Sequence, residues 1–170
     1  MAYIYALSDI HGNIEALETA LEEIFAEKLL EEDKIIFCGD YVDEGLHSYE
    51  VLKTIMNLEN QYPNQVVVLL GNHDEWFYEW LFENRDDSKD YPVGLGYETI
   101  KSFFDSQSYD DIAQLAIKNI TTINENNQEE ITRNFSELFR NVLLSSDKYA
   151  QLIEWLKEKY GSTRYYKTEK

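Results

Sequence analysis

Three short polar clusters carry residue types that bind metals and move protons: Asp9-Ile-His11-Gly-Asn13, Gly39-Asp-Tyr-Val-Asp43 and Gly71-Asn-His-Asp74. Asp9 and His11 alternate on a segment that reads as extended, so both face one point, and a carboxylate with an imidazole suits Mn, Fe, Zn or Ni better than Ca or Mg. Asp40 adds a carboxylate able to bridge two metals, and Asn72 adds an amide oxygen. His73, next along the chain, points to another side of the site, where it can protonate a leaving alkoxide. Asp43 is the natural partner to orient that imidazole. Taken singly, Asp9, Asp40 and Asn72 read equally well as helix caps, and the glycines Gly12, Gly39 and Gly71 as ordinary turn residues. What marks a site is that all three clusters follow an apolar run and that two of the three histidines fall inside them. His47, in Gly45-Leu-His-Ser48 at a helix start, reads as a surface loop residue near the site.

The elements that must position these residues are legible. Tyr3 to Leu7, Lys34 to Cys38 and Gln65 to Leu70 are β-rich runs with little polar interruption, which suggests strands covered on both faces. Between them, Ile14, Leu17, Leu21, Ile24 and Phe25 recur at helical spacing, as do Val51, Leu52, Ile55, Met56 and Leu58. The order β-α-β-α-β predicts a parallel sheet whose strand carboxyl ends share the edge where ligands bind. Beyond Leu70 the pattern turns helical, with segments expected at Glu75 to Glu83, Tyr97 to Asp105, Asp110 to Asn124, Glu129 to Leu144 and Asp147 to Tyr160. Loops are expected at Asp86 to Gly96 and Asn124 to Gln128. The economical picture is an α/β core over 1–85 with a helical cap subdomain over 86–160.

Composition narrows the classes of partner. The 170 residues are 44% apolar, enough to bury a core. With 33 acidic against 15 basic side chains, the net charge of -18 opposes docking on nucleic acid or anionic lipid, which needs clustered Lys and Arg. The acidic excess over Glu15 to Glu32 reads as a solvated helix face. Cys38, the single cysteine, reads as a small buried strand residue, and because one cysteine allows no intrachain disulfide, a reducing, cytoplasmic setting is expected. No run approaches the roughly 20 apolar residues of a membrane span, and the N-terminus lacks the charged start of a signal peptide.

In this order, the patterns DxH, GDxxD and GNHD resemble those of the calcineurin-like metallophosphoesterase superfamily. Gly39-Asp-Tyr-Val-Asp43 is most similar to its serine/threonine protein phosphatase branch, including the small bacterial and phage enzymes. The likeness is clear from Tyr3 to about Trp80 and faint beyond. It implies the N-terminal β-α-β-α-β half of a metallophosphoesterase β-sandwich core. It also implies metal-dependent hydrolysis of phosphate esters of a protein or small molecule. By the resemblance, Asp9, His11, Asp40 and Asn72 are ligands of two divalent ions, Mn first, with Fe, Zn or Ni as alternatives. The nucleophile is then a metal-activated hydroxide, and His73 with Asp43 behind it is the general acid.

The sequence departs from that pattern twice. Where the phosphatase branch reads GDYVDRG, with an arginine that clamps phosphate, this chain has Glu44. The family completes its site with histidines from later motifs, one in a VHAG-like strand, whereas no histidine follows His73. The run from Tyr149 through Lys170 resembles what precedes that strand, so 161–170 are expected to be the start of the fold's second half, with the rest beyond Lys170. One sheet face would then lie bare and invite self-association. On those counts this chain alone would hold one metal or none. A catalytically impaired remnant or interaction module is the alternative reading, and a dinucleoside polyphosphate hydrolase or phosphodiesterase is another.

Overall fold

The computed structural model describes residues 2–118 and 127–160. Three parallel strands, β1 (Ile4–Leu7), β2 (Lys34–Phe37) and β3 (Val66–Val68), form one sheet in the order β1-β2-β3. They are joined by α1 (Ile14–Ala26) and α2 (Ser48–Gln61), as the periodicity predicts. Ile35 lies beside Tyr5 and Val66, and Phe37 beside Leu7 and Val68, so one sheet face is a continuous apolar surface. With Ile35 and Phe37, Leu17, Leu21 and Ile24 of α1 and Val51, Leu52 and Ile55 of α2 join the buried core. Burying each such side chain contributes about 1.5–3 kcal/mol.

The opposite face corrects the expectation of strands covered on both sides. Ile4 is 51% exposed. Ala6 and Cys38 are exposed too, and Val67 is half-buried. Cys38 lies one residue past β2, on the side of the sheet shared by Ala6 and Ile36, so it is not the buried strand residue its apolar neighbours suggest. An apolar run does not reveal how many faces are covered.

After β3 the chain is helical. α3 (Asn72–Tyr78) winds on through a π-helical turn, Glu79–Glu83, and is followed by short 3₁₀ turns at Asp86–Ser88 and Tyr91–Val93. Then come α4 (Tyr97–Ser102), α5 (Ser106–Ile117), α6 (Gln128–Ser145) and α7 (Ala150–Lys159). The last two fall within a few residues of expectation. α4 starts at Tyr97 as expected and ends three residues early, whereas α3 and α5 start early for local reasons. α3 begins at Asn72 rather than Glu75 because Asp74 accepts the Gly71 N–H at 2.9 Å and closes the first turn. α5 begins at Ser106 rather than Asp110 because Asp105 caps it, accepting the Ser108 N–H at 2.9 Å. Within the expected loop 86–96, Tyr91 and Pro92 are buried. The expected end of α5 at Asn124, most of the Asn124–Gln128 loop and the segment 161–170 lie outside the described residues.

The buried cluster runs unbroken from the sheet through Phe77, Trp80 and Tyr91 to Phe103, Phe139 and Leu156. Polar ties reinforce it: Trp80 Nε1 donates to Ser136 Oγ at 2.8 Å, and Trp155 Nε1 donates to Glu59 of α2 at 2.6 Å. Among the described residues, no helix is long and apolar enough to cross a membrane.

Candidate functional site

Past the carboxyl ends of β1 and β2 the backbone ladder continues through irregular chain. Cys38 N–H donates to Leu7 O at 2.7 Å, Asp9 N–H to Gly39 O at 3.2 Å, His11 N–H to Asp40 O at 2.9 Å and Gly12 N–H to Tyr41 O at 2.8 Å. The two loops are thus locked side by side before any side chain acts. Their backbone is not extended, contrary to the sequence reading of Asp9 and His11. Positive φ angles occur at Asp9 (54°), His11 (44°), Asp40 (60°), Asp43 (71°) and Glu44 (61°). Left-handed backbone costs a non-glycine residue roughly 1–2 kcal/mol, and such strain gathers where side-chain direction matters more than comfort. Here it occurs at Asp9, His11 and Asp40, which carry candidate ligands, and at the pair that flanks the second motif's end, Asp43 and Glu44.

Asp9, His11 and Asp40 each offer a ligand atom, and these atoms lie within 4.8 Å of one another. His11 Nδ1 sits 2.9 Å from Val42 O. A carbonyl only accepts, so Nδ1 carries the proton, and Nε2 keeps its lone pair for a metal. The Asp40 carboxylate is held from behind by the His73 N–H at 3.1 Å. Two carboxylates and an imidazole whose Nδ1 is engaged by a carbonyl are a donor set that fits a borderline divalent transition metal. Asn72 opens α3 beside Asp40, with its side chain exposed. Asp9, His11 and Glu44 share an open cleft of about 540 Å³ with Asn13, Glu15 and His47.

His73 stands next to this group. Its ring meets the His11 ring edge-on, with centroids 4.7 Å apart, and its Nδ1 is 2.9 Å from Asp43 Oδ2. Asp43 is fully buried. It accepts a 2.6 Å hydrogen bond from the Tyr91 hydroxyl and one of 2.7 Å from Thr99 Oγ1, both on Oδ1. With Nδ1–H engaged by the carboxylate, Nε2 is the nitrogen left to serve a ligand. A model of the calcineurin-like phosphoesterase family matches residues 2–167. The chain belongs to that family.

Among curated relatives, this calcineurin-like phosphoesterase is 40% identical over 94 residues to the symmetrical bis(5'-nucleosyl)-tetraphosphatase of Baumannia cicadellinicola, covering 54% of this chain and 30% of that protein. It is 33% identical over 66 residues to the serine/threonine-protein phosphatase 4 catalytic subunit of Eremothecium gossypii, covering 39% of this chain and 20% of that one. It is 39% identical over 66 residues to the serine/threonine-protein phosphatase 6 catalytic subunit of Caenorhabditis elegans, covering 39% and 19%. The chain spans less than a third of the length of these relatives.

Around these clustered residues, the sequence reading missed three residues. Asp74 is buried and receives the N–H groups of Asp40 at 2.7 Å, Tyr41 at 2.9 Å and Gly71 at 2.9 Å, tying the second loop to the third. Burial pushes its carboxyl up to about 6 in spite of those donors. It closes the GNHD motif and was visible there, but a role in bracing loops is not written in residue type. Tyr91 and Thr99 have no signal at all in the sequence, since nothing local ties them to Asp43. The Glu44 side chain is exposed at the cleft, and among the described residues no Lys or Arg lines it. His47 is the exposed N-cap of α2, as expected.

Proposed function

We propose that this chain carries the metal-binding and proton-donating part of a phosphomonoesterase of the protein-phosphatase type, with Asp9, His11, Asp40 and Asn72 as ligands and His73 as general acid. The observation that carries the reading is the adjacency of two built groups: the Asp9–His11–Asp40 cluster, and the His73–Asp43 pair whose imidazole touches His11. Mn is the first choice of ion, and when bound, divalent ions at these ligands supply neutralisation of the phosphate oxygens and an acidified water. The chain's own part is to hold the ester so that its leaving oxygen meets His73 Nε2. As the P–O bond breaks, the imidazolium gives its Nε2 proton to that oxygen, and Asp43 keeps the ring aimed throughout. The product is an alcohol and inorganic phosphate.

Charge in the cleft favours a monoester over a dinucleoside polyphosphate. Asp9, Glu15 and Glu44 line it without a lysine or arginine among the described residues, and a polyphosphate chain would meet those carboxylates at several places. The exposed single thiol of Cys38 fits a reducing cytoplasm. The test is to titrate Mn²⁺ into the purified chain by calorimetry and to assay 4-nitrophenyl phosphate alongside, with an Asp9→Ala, Asp40→Ala double variant as control. Stoichiometric binding and hydrolysis that the control loses are expected. Equal behaviour of the two proteins would overturn the reading.

A further inference from the structure

We infer that Tyr91 and Thr99, contributed by the helical half of the chain, are positioning residues for the proton-donating His73 and act through Asp43. The inference rests on the proposed role of His73 and extends the acid group beyond the motif that announces it. An aspartate carboxylate rotates over a broad, shallow torsion, so a single hydrogen bond to His73 would leave its plane loosely set. Here Oδ1 is pinned by two hydroxyls, Tyr91 at 2.6 Å and Thr99 at 2.7 Å, which leaves Oδ2 toward His73 Nδ1 at 2.9 Å. Thr99 Oγ1 also accepts the Asp43 N–H at 2.8 Å, so one hydroxyl fixes both the backbone and the carboxylate.

Water is a poor substitute for either donor. Thr99 is fully buried and Tyr91 only 7% exposed. The Tyr91 ring is wedged between Phe77 and Trp80, with centroids 6.0 and 5.8 Å away, and against Gly96, where a Cβ would lie 2.1 Å from the ring. Thr99 is backed by Ser48 Oγ at 3.3 Å, at the start of α2. Burial and the neighbouring Asp43 hold the Tyr91 phenol well above its ordinary pKa, so it remains a donor. The segment from Tyr91 to Thr99 therefore sets the aim of an imidazole that belongs to α3.

The experiment compares the wild type with Tyr91→Phe, Thr99→Val and Thr99→Ser, loaded with Mn²⁺, on 4-nitrophenyl, phenyl and methyl phosphate. General acids matter most for poor leaving groups, so a misaimed His73 should be felt least by nitrophenolate. In Tyr91→Phe and Thr99→Val, kcat is expected to fall about tenfold more on phenyl and methyl phosphate than on 4-nitrophenyl phosphate, at unchanged KM, with Thr99→Ser restoring the wild-type ratio. A uniform loss across the series would overturn the inference. ¹⁵N imidazole NMR gives a readout free of turnover: a His73 Nδ1–H held by Asp43 is expected in the wild type and in Thr99→Ser, and its loss in Thr99→Val. If the wild type hydrolyses none of the esters, the proposed function falls. The NMR comparison then decides the positioning role, and an unchanged Nδ1–H signal in Thr99→Val and Tyr91→Phe would overturn it.

Discussion

Gly71 leaves open the space that the Asp40 carboxylate fills: a Cβ at Gly71 would stand 2.2 Å from Asp40 Oδ1 and 2.6 Å from the Asp40 backbone nitrogen. The backbone at Gly71, φ -93° and ψ -179°, is one any residue can adopt, so the requirement for glycine is wholly one of room. The ligand and the turn have been fitted to each other.

Gly71→Ala is therefore expected to cost about 1–3 kcal/mol of stability through forced backbone movement. Because the displaced atom is a proposed ligand, Mn²⁺ affinity is expected to drop at least about tenfold, close to 1.4 kcal/mol. Urea denaturation measures the first effect and calorimetry the second. An alanine variant with full metal affinity would show that Asp40 does not need its present place.

Asp74→Asn tests the brace between loops. The aspartate presents only acceptor oxygens to the three N–H groups of Asp40, Tyr41 and Gly71, whereas an amide in either flip turns an NH₂ toward at least one of them. A buried donor left unpaired costs about 1–3 kcal/mol, and that loss is expected in the unfolding free energy at pH 7. Cleavage by a protease should quicken first in the loop 39–47, whose second anchor is gone. Wild-type stability in the variant would mean that water replaces the carboxylate.

The contrast between these residues shows what the sequence could reveal. Leu17, Leu21 and Ile24 declared a buried helix face because helical periodicity needs only neighbours in the chain. The pairing of His73 with Asp43 was legible because each sits in a short motif behind a strand, and parallel strands bring such motifs to one edge. Thr99 and Tyr91 reach Asp43 from 56 and 48 residues away, out of segments that look like any helix and any loop. The left-handed turns at Asp9 and His11 escaped for another reason: aspartate and histidine visit that region often enough that residue type gives no warning. Cys38 shows the limit of reading apolar runs, since an exposed sheet face and a covered one are written alike.

Asp33 supplies a pH signature away from the site. It is buried, and its two oxygens accept the N–H groups of Tyr3 at 2.7 Å and Leu30 at 2.8 Å, binding the start of β1 to the turn before β2. Those bonds hold its carboxyl below the ordinary value of 3.8. A depressed folded pKa means that the native state resists protonation more than the unfolded chain. Its contribution is thus complete above the unfolded pKa and is lost as pH falls through the lower, folded one. Asp33→Asn is expected to be less stable than wild type at pH 7, with the gap closing below about pH 4. Urea midpoints from pH 3 to 7 would show it, and a gap independent of pH would contradict the assignment.

Glu44 offers the most direct change of function. It is exposed beside the Asp9 and His11 cleft, at φ 61°, in the position where the phosphatase branch carries an arginine. Arginine and glutamate suffer alike from left-handed backbone, so exchanging them adds no strain there. It does replace a repelling anion by a fork of N–H donors suited to phosphate oxygens, and charge-assisted hydrogen bonds of that kind contribute about 1.5–3 kcal/mol. Glu44→Arg is expected to lower KM for 4-nitrophenyl phosphate, and the inhibition constant of inorganic phosphate, by about tenfold or more, with the gain shrinking as salt is added. Because the Glu44 side chain makes no hydrogen bond to His73 or to the Asp43 carboxylate, whose partners are His73, Tyr91 and Thr99, the dependence of kcat on leaving group should stay as it is. An unchanged KM would mean that the substrate phosphate binds away from the turn at Glu44.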